Sequence, residues 1–267
     1  IYYIHMLHGM EVVGYSFFGV DFYDALLLSA EHQRGEIREL ERIREEEAKE
    51  ITLVGIPYWD EMAKKLKEAG DVPAHEITVL LAPSWREMAL LSRFGPRIID
   101  ALLDTGYHII IRPHPQSFTS EKEMLDKLME KYPESDQLEW NRDADNFEVL
   151  RRSDIMVSDY SGVVFDFALV HDKPVICASV EWDSSLYDLE WLNKTSWTQD
   201  SLPRIGAILN EDSISSIKEI IDACLKDDSY KQARHKLRDE AWVYQGEGSV
   251  RIADYLIEKY HQISEES

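Results

Sequence analysis

The sequence predicts an α/β fold built on a doubly wound parallel sheet, and two observations carry that reading. Strand-like and helix-like segments alternate along most of the chain, which implies parallel strands joined by helical crossovers. The strand-like segments are continuous apolar runs rich in Ile and Val, such as ITVLLA (77–82) and YHIIIR (107–112), not alternating ones. Strands covered by helices on both faces read this way.

A short apolar strand opens the chain and leads into His5-Met6-Leu7-His8-Gly9-Met10. The charged segment 33–50, marked by Ile37, Leu40 and Ile43 and containing the run Glu45-Glu46-Glu47, predicts a solvated helix face in preference to a partner-binding helix. The pattern then becomes regular. Strand ITLVG (51–55) precedes a helix over 57–69, and strand 77–82 leads through Pro83-Ser84-Trp85-Arg86 to a helix ending near Leu103. Strand 107–112 leads through Pro113-His114-Pro115 to a helix over 120–131, and a short strand at 137–140 precedes a helix at 146–151. A strand at 154–157 breaks off at Ser158-Asp159-Tyr160-Ser161-Gly162, with an apolar helix over 163–170 and a further strand, PVICA, at 174–178. Residues 182–205 read as irregular, and helices follow at about 213–226, 230–242 and 249–260. Residues 55–267 are therefore expected to form one α/β domain, with 1–54 the tail of a preceding domain and a connecting helix.

Composition narrows the function. At 267 residues and 44% hydrophobic content the chain can bury a core, and it has no apolar run long enough to span a membrane. It opens on neither Met nor a signal peptide, so a piece of a longer protein is expected. The net charge of -22 argues against nucleic-acid binding and against electrostatic docking of this portion on anionic lipid. Cys177 and Cys224 stand far apart with no ligand spacing around them, so no metal site is expected and the reducing cytoplasm is the simplest location.

The joint at 158–162 is the most informative stretch. A helix N-terminus carries unpaired N–H groups and partial positive charge, so the joint is either an ordinary N-cap or an anion site. Two other loops should share its edge of the sheet, since ligands of open α/β sheets bind beyond the carboxyl ends of the strands. Together the three loops offer Ser84, Trp85, Arg86, Arg112, His114, Ser158, Asp159, Tyr160, Ser161 and Gly162. Arginines and backbone amides suit phosphate oxygens. His114 is held between prolines on a rigid extended backbone, which favours a functional role over a structural or merely exposed one. Near the start, His8 beside Gly9 would sit at a strand end, where Gly9 permits a tight turn or close approach of a ligand. His5 and other metal ligands do not form a set with it.

HG at His8-Gly9, G-x-P at Gly55-Ile56-Pro57, APSWR at 82–86, HP at His114-Pro115, and SDYSGVVFDF followed by Lys173-Pro174 resemble, in order, the CDP-glycerol glycerophosphotransferase family of teichoic-acid and capsule primases and polymerases. The resemblance implies a GT-B-type fold, two Rossmann-like domains around a cleft, of which this chain would supply the nucleotide-binding C-terminal domain and the last part of its partner. It implies that His8 and His114 are catalytic and that residues 158–162 bind the donor. Three departures stand out: Gly162 replaces a serine, Tyr58 stands where the motif G-x-P-R-x-D has arginine, and the later PG element appears only as Leu202-Pro203-Arg204-Ile205-Gly206.

The chemistry expected is attack of an acceptor hydroxyl on the polyol-bearing phosphorus of a CDP-activated donor, with CMP leaving and no cofactor required. His8 is expected as base and His114 as acid or phosphate ligand, or the two in exchanged roles, with Arg86 or Arg112 on the pyrophosphate. A lipid-linked or polymer acceptor would bring the enzyme to the inner face of the membrane as a peripheral protein. Trp182, Trp191 and Trp197 either pack locally, the favoured reading, or stack on a base or sugar. Two rival functions are a glycosyltransferase or sugar epimerase using a nucleotide sugar, and a non-catalytic nucleotide-binding module.

Overall fold

The computed structural model describes residues 1–7, 9–10, 18–179, 191 and 195–266. His8 and Trp182 therefore lie outside the described residues. In chain order the elements are β1 (Ile4–Met6), β2 (Ala25–Leu28), α1 (Glu31–Arg44), β3 (Glu50–Leu53), α2 (Pro57–Ala69), β4 (Thr78–Leu81), α3 (Leu90–Leu103), β5 (His108–Ile111), α4 (Ser117–Ser120), α5 (Lys122–Lys131), β6 (Leu138–Trp140) and α6 (Phe147–Arg152). There follow β7 (Ile155–Ser158), α7 (Val163–Phe165) running into a π-helical turn (Asp166–Val170), β8 (Val175–Ala178), α8 (Trp197–Ile205), β9 (Gly206–Leu209), a 3₁₀ turn (Glu211–Ser216), α9 (Ile217–Lys226), α10 (Lys231–Ala241) and α11 (Gly248–Glu266).

The chain divides into two compact units. The first comprises Ile1–Lys65, Asp183–Thr198 and Lys236–Ser267, the second Leu66–Trp182 and Gln199–His235. The first unit carries a three-stranded parallel sheet in the order β1-β2-β3. Its core joins Leu7, Val20, Leu26 and Leu28 to Ile37 and Leu40 of α1, with Trp191 packed against them. The G-x-P segment has a structural use here. Gly55 has φ +86°, and a Cβ on it would lie 2.6 Å from the Val243 carbonyl oxygen. Five residues on, Asp60 accepts the indole N–H of Trp242 at 2.8 Å and the backbone N–H groups of Gly246 at 2.7 Å and Gly248 at 2.9 Å, holding the entry to α11.

In the second unit, six parallel strands run in the order β6-β5-β4-β7-β8-β9. Counted within the unit this is 3-2-1-4-5-6, the doubly wound dinucleotide-binding order, with its switch point between β4 and β7. The core lies between this sheet and its helices, from Val79, Leu81, Ile109 and Ile111 to Ile98, Ile99 and Ile221. Strands β4, β5, β7 and β8 stand where the apolar runs predict them, and β6 where the short strand at 137–140 is expected.

Four details correct the sequence reading. Ala25–Leu28 forms a central strand that the sequence reading lacks. Residues 197–205, expected as irregular, form α8 with Pro203 inside it, and β9 follows. The run Glu45-Glu46-Glu47 is not a helix face: α1 ends at Arg44, and Glu45 (φ 55°) turns the chain out of the helix. The helix after the SDYSG turn is α-helical only over Val163–Phe165 before widening into the π turn.

Candidate functional site

The second unit's topology brings the loops after β4, β5 and β7 to one edge of the sheet. Strand β4 pairs with both β5 and β7, with Leu81 opposite Ile111 on one side and Val157 on the other, so the three loops leave their strands in step. The expected residues from Ser84 to Gly162 thus share one edge, at the switch point where such sheets bind ligands.

Ser158 and Asp159 turn inward. The Ser158 hydroxyl donates to the Ala82 carbonyl, tying the end of β7 to the start of the β4 loop. Asp159 is fully buried; its Oδ1 accepts the N–H of Ser84 at 2.9 Å and of Ser161 at 3.2 Å, while Oδ2 accepts the N–H of Leu90 at 2.8 Å. Burial raises its pKa, and the amides of Leu90, Ser84 and Ser161 work against that rise. Both residues of the expected phosphate turn therefore build the turn from within. Tyr160 donates its hydroxyl to the Trp85 carbonyl at 3.4 Å, a second tie between the two loops. Gly162 is exposed at the start of α7 with ordinary helical angles, and a Cβ on it would meet nothing within 4 Å.

The β4 and β5 loops meet through aromatic contacts. The Trp85 ring stacks on His114, centroids 5.9 Å apart and planes 20° from parallel, and the Arg86 guanidinium lies 4.4 Å over the Trp85 ring. The Nδ1 of His114 accepts the backbone N–H of Gln116 at 3.1 Å. A nitrogen that accepts carries no proton, so the neutral ring bears its proton on Nε2 and offers that atom as a donor. Burial lowers the His114 pKa below its ordinary value, against the opposing charge of Glu121. Arg112 donates to the side-chain oxygen of Asn141, the residue that follows β6 in register with it. Asn141 is itself buried and donates to Glu139 at 3.2 Å and Asp143 at 2.9 Å. Arginine, indole, imidazole and backbone amides in such an arrangement can hold a phosphorylated ligand by charge and hydrogen bonding.

Several other residues singled out in the sequence make structural contacts. Lys173 of the KP pair donates Nζ to the carbonyls of Leu150 (3.2 Å), Arg151 (2.6 Å) and Ser153 (2.6 Å), closing the C-terminus of α6. Burial pulls its pKa down to about 8, still above neutrality, so the ammonium keeps its donors. Trp197 stacks on His32 at 4.3 Å, within the first unit. In that unit too, the Gly9 carbonyl accepts from Nε2 of Gln33 at 2.7 Å, and Oε1 of Gln33 takes the N–H of Ser29 at 2.8 Å. A Cβ on Gly9 would meet nothing within 4 Å. Cys177 is buried in β8, which pushes its thiol up to about 12. Among the described residues no cluster of His, Cys, Asp and Glu is arranged to hold a metal ion, and no helix is long and apolar enough to cross a membrane.

Asn141 and Glu121 bond to the loops of the second unit, and Gln33 to the Gly9 segment of the first, without standing in any motif. Only Asn141 left a signal: it is a polar residue directly after a strand, in the place that Arg112 holds after β5.

A family model described as CDP-Glycerol:Poly(glycerophosphate) glycerophosphotransferase matches residues 19–258. No curated protein matches the chain. Among solved structures, a histidine-to-alanine variant of the wall teichoic acid polymerase TagF is similar at TM-score 0.60 and 17% identity, over 98% of this chain and 69% of that one. Another TagF variant, soaked with CDPG, is similar at TM-score 0.52 and 18% identity, over 91% and 57%. The sucrose-phosphate synthase of Thermosynechococcus elongatus is similar at TM-score 0.51 and 15% identity, over 99% and 68%. These likenesses show a shared GT-B-like α/β fold with parallel sheets.

Proposed function

The chain belongs to the CDP-glycerol:poly(glycerophosphate) glycerophosphotransferase family, and on that premise we propose that it moves a glycerol-phosphate or related polyol-phosphate unit from a CDP-activated donor to an acceptor hydroxyl, in the synthesis of a teichoic-acid-like or capsular polymer. The observation that carries this reading is the His114–Trp85–Arg86 stack, standing on the same sheet edge as the 158–162 turn at the switch point of the second unit.

In this reading the donor's phosphates are taken by the backbone of the turn, the Ser161 hydroxyl, the Arg86 guanidinium and the Nε2–H of His114. Arg112, engaged with Asn141, adds positive charge to the same edge. The acceptor oxygen forms a bond to the polyol-bearing phosphorus while that phosphorus loses its bond to the CMP oxygen. Fixed donors stabilise the charge that develops on the phosphates. His114, neutral and protonated on Nε2, is suited to hydrogen-bond an oxygen there. The acceptor's proton goes to a base, a role for which the family resemblance supports His8. No cofactor is part of the proposal. A lipid-linked or growing-polymer acceptor would bring the enzyme to the inner membrane face. The family match does not favour a nucleotide-sugar enzyme or a non-catalytic module.

The test is CMP release from CDP-glycerol in the presence of a glycerol-phosphate primer, paired with thermal shifts against CDP-glycerol, CDP-ribitol, CMP and UDP-sugars. Cytidine compounds are expected to raise the melting temperature and CDP-glycerol to be consumed. Stabilisation by uridine compounds alone would sink the proposal.

A further inference from the structure

Glu121 stands between α4 and α5, outside every motif of the sequence. It occupies the N-cap position of α5, yet its side chain does not cap that helix. Its Oε1 instead accepts the backbone N–H of Arg86 at 2.9 Å and the hydroxyl of Ser92 at 3.1 Å. One carboxylate oxygen thus holds the β4 loop and the first turn of α3, reached from 35 and 29 residues away.

Arg86 is an unusual residue to hold. Its φ is 82°, in the left-handed region that favours glycine. A side chain stays there only where its surroundings over-determine it, and such strain concentrates at functional sites. The Arg86 carbonyl accepts from Ala89 at 3.0 Å, so the turn is bonded at both its N–H and its C=O. This turn sets the guanidinium of Arg86 over the ring of its neighbour Trp85, and that ring in turn stacks on His114.

We propose that Glu121 is a positioning residue of the transferase site: by accepting the Arg86 N–H it fixes the left-handed turn that keeps Trp85 and Arg86 in place against His114. The proposal rests on reading this edge as the donor site. Glu121 reaches the chemistry through its neighbours, so its loss misplaces the stack while leaving every group that would touch the donor.

Two substitutions separate this role from a general one. Glu121→Gln keeps a carbonyl oxygen able to accept both hydrogen bonds, whereas Glu121→Ala keeps none. With CDP-glycerol as donor, Glu121→Ala is expected to lower kcat/KM about 30-fold, since misplacement of a catalytic group costs on that order. Glu121→Gln should stay within about threefold of the parent, because the bonds and not the charge do the positioning. A second readout needs no donor. The Trp85 ring current acts on the His114 ring protons, identified by their loss in His114→Gln; Glu121→Ala should move them toward their positions in Trp85→Ala, and Glu121→Gln should leave them. Glu121→Met, which keeps bulk without an acceptor, replaces the alanine variant if that one does not fold. Unmoved His114 resonances in Glu121→Ala or Glu121→Met would overturn the proposal, as would a Gln variant as impaired as the alanine one. A parent protein inert toward CDP-glycerol would count against the donor reading alone, since the resonance test still decides the role of Glu121.

Discussion

The carboxylate of Asp159 accepts the backbone N–H of Leu90 at 2.8 Å, so the turn after β7 caps α3 from across the switch point. Helix α3 needs this, because its own N-cap residue is Ala89, which has no side-chain acceptor to offer. The same carboxylate holds the Ser84 and Ser161 amides, making one buried group the junction of two loops and a helix.

Asparagine at this position should be poorly tolerated despite its matching shape. The two oxygens of Asp159 accept on opposite sides, and an amide nitrogen on either side would face a backbone N–H. Asp159→Asn is expected to cost about 2 kcal/mol and Asp159→Ala about 4 kcal/mol, as buried donors lose their partners. Urea denaturation measures both; an Asn variant as stable as the parent would show that Asp159 is protonated and already donating on one side.

His114 makes a different prediction, about hydrogen-bond donation. With Nδ1 occupied by the Gln116 N–H, the ring meets a ligand through Nε2–H. Glutamine can place an amide N–H near that position. His114→Gln is therefore expected to keep at least about tenfold more kcat/KM than His114→Ala, which should lose on the order of 10²–10³. Equal losses in steady-state assays would mean that the ring transfers a proton and does not simply donate a hydrogen bond. Burial lowers the ring's pKa in the folded protein. Any loss of activity caused by protonating this ring is therefore expected at a lower pH than for an ordinary histidine.

Buried His171 offers a test of pH-linked stability. Among the described residues neither ring nitrogen has a hydrogen-bond partner, and Phe147 and Phe167 lie 6.1 and 6.3 Å away. Burial first, then the charges of Lys173 and Arg151, push its pKa down to about 3. The unfolded ring takes a proton near pH 6.5 while the folded one does not, so acid favours the unfolded chain. Stability on this account is constant above about pH 6.5 and falls below it, by about 2 kcal/mol at pH 5. His171→Phe should flatten that part of the curve when denaturation is compared at pH 7.5 and 5. An unchanged slope would place the acid sensitivity elsewhere.

What the sequence made legible follows from how each residue does its work. Strands β4, β5, β7 and β8 are covered on both faces, so burial alone selects runs such as Ile109-Ile110-Ile111, and these can be read without knowing their neighbours. Strand β2 is equally buried, but Ala25-Leu26-Leu27-Leu28 carries no β-branched residue, and its pairing between β1 and β3 overrides its helical leaning. Gly206 opens β9 because a Cβ there would lie 2.5 Å from the Val175 carbonyl oxygen, a tertiary requirement that locally looks like a strand breaker. The site divides in the same way. His114 and the 158–162 turn announce themselves through rigid or small residues at strand ends. The inward direction of Ser158 and Asp159 does not, nor do the roles of Glu121 and Asn141, whose partners lie some thirty residues away in the chain.

Gly162 supplies the most direct test of the donor site. Its φ of -57° and ψ of -27° suit any residue, and a Cβ would meet nothing within 4 Å. Serine should therefore fit without strain, and the less flexible unfolded chain should make Gly162→Ser more stable by about 0.5 kcal/mol. If donor phosphate lies against this turn, the added hydroxyl gains a charge-assisted hydrogen bond worth about 1.5 kcal/mol, which would lower KM for CDP-glycerol roughly tenfold. Gly162→Asp should fit equally well but set a carboxylate against the phosphates, raising KM by a similar factor at low salt and less at high salt. Opposite KM shifts from serine and aspartate, with neither variant destabilised, are what an anion site requires; KM values unmoved by either would mean that the donor's phosphates bind elsewhere.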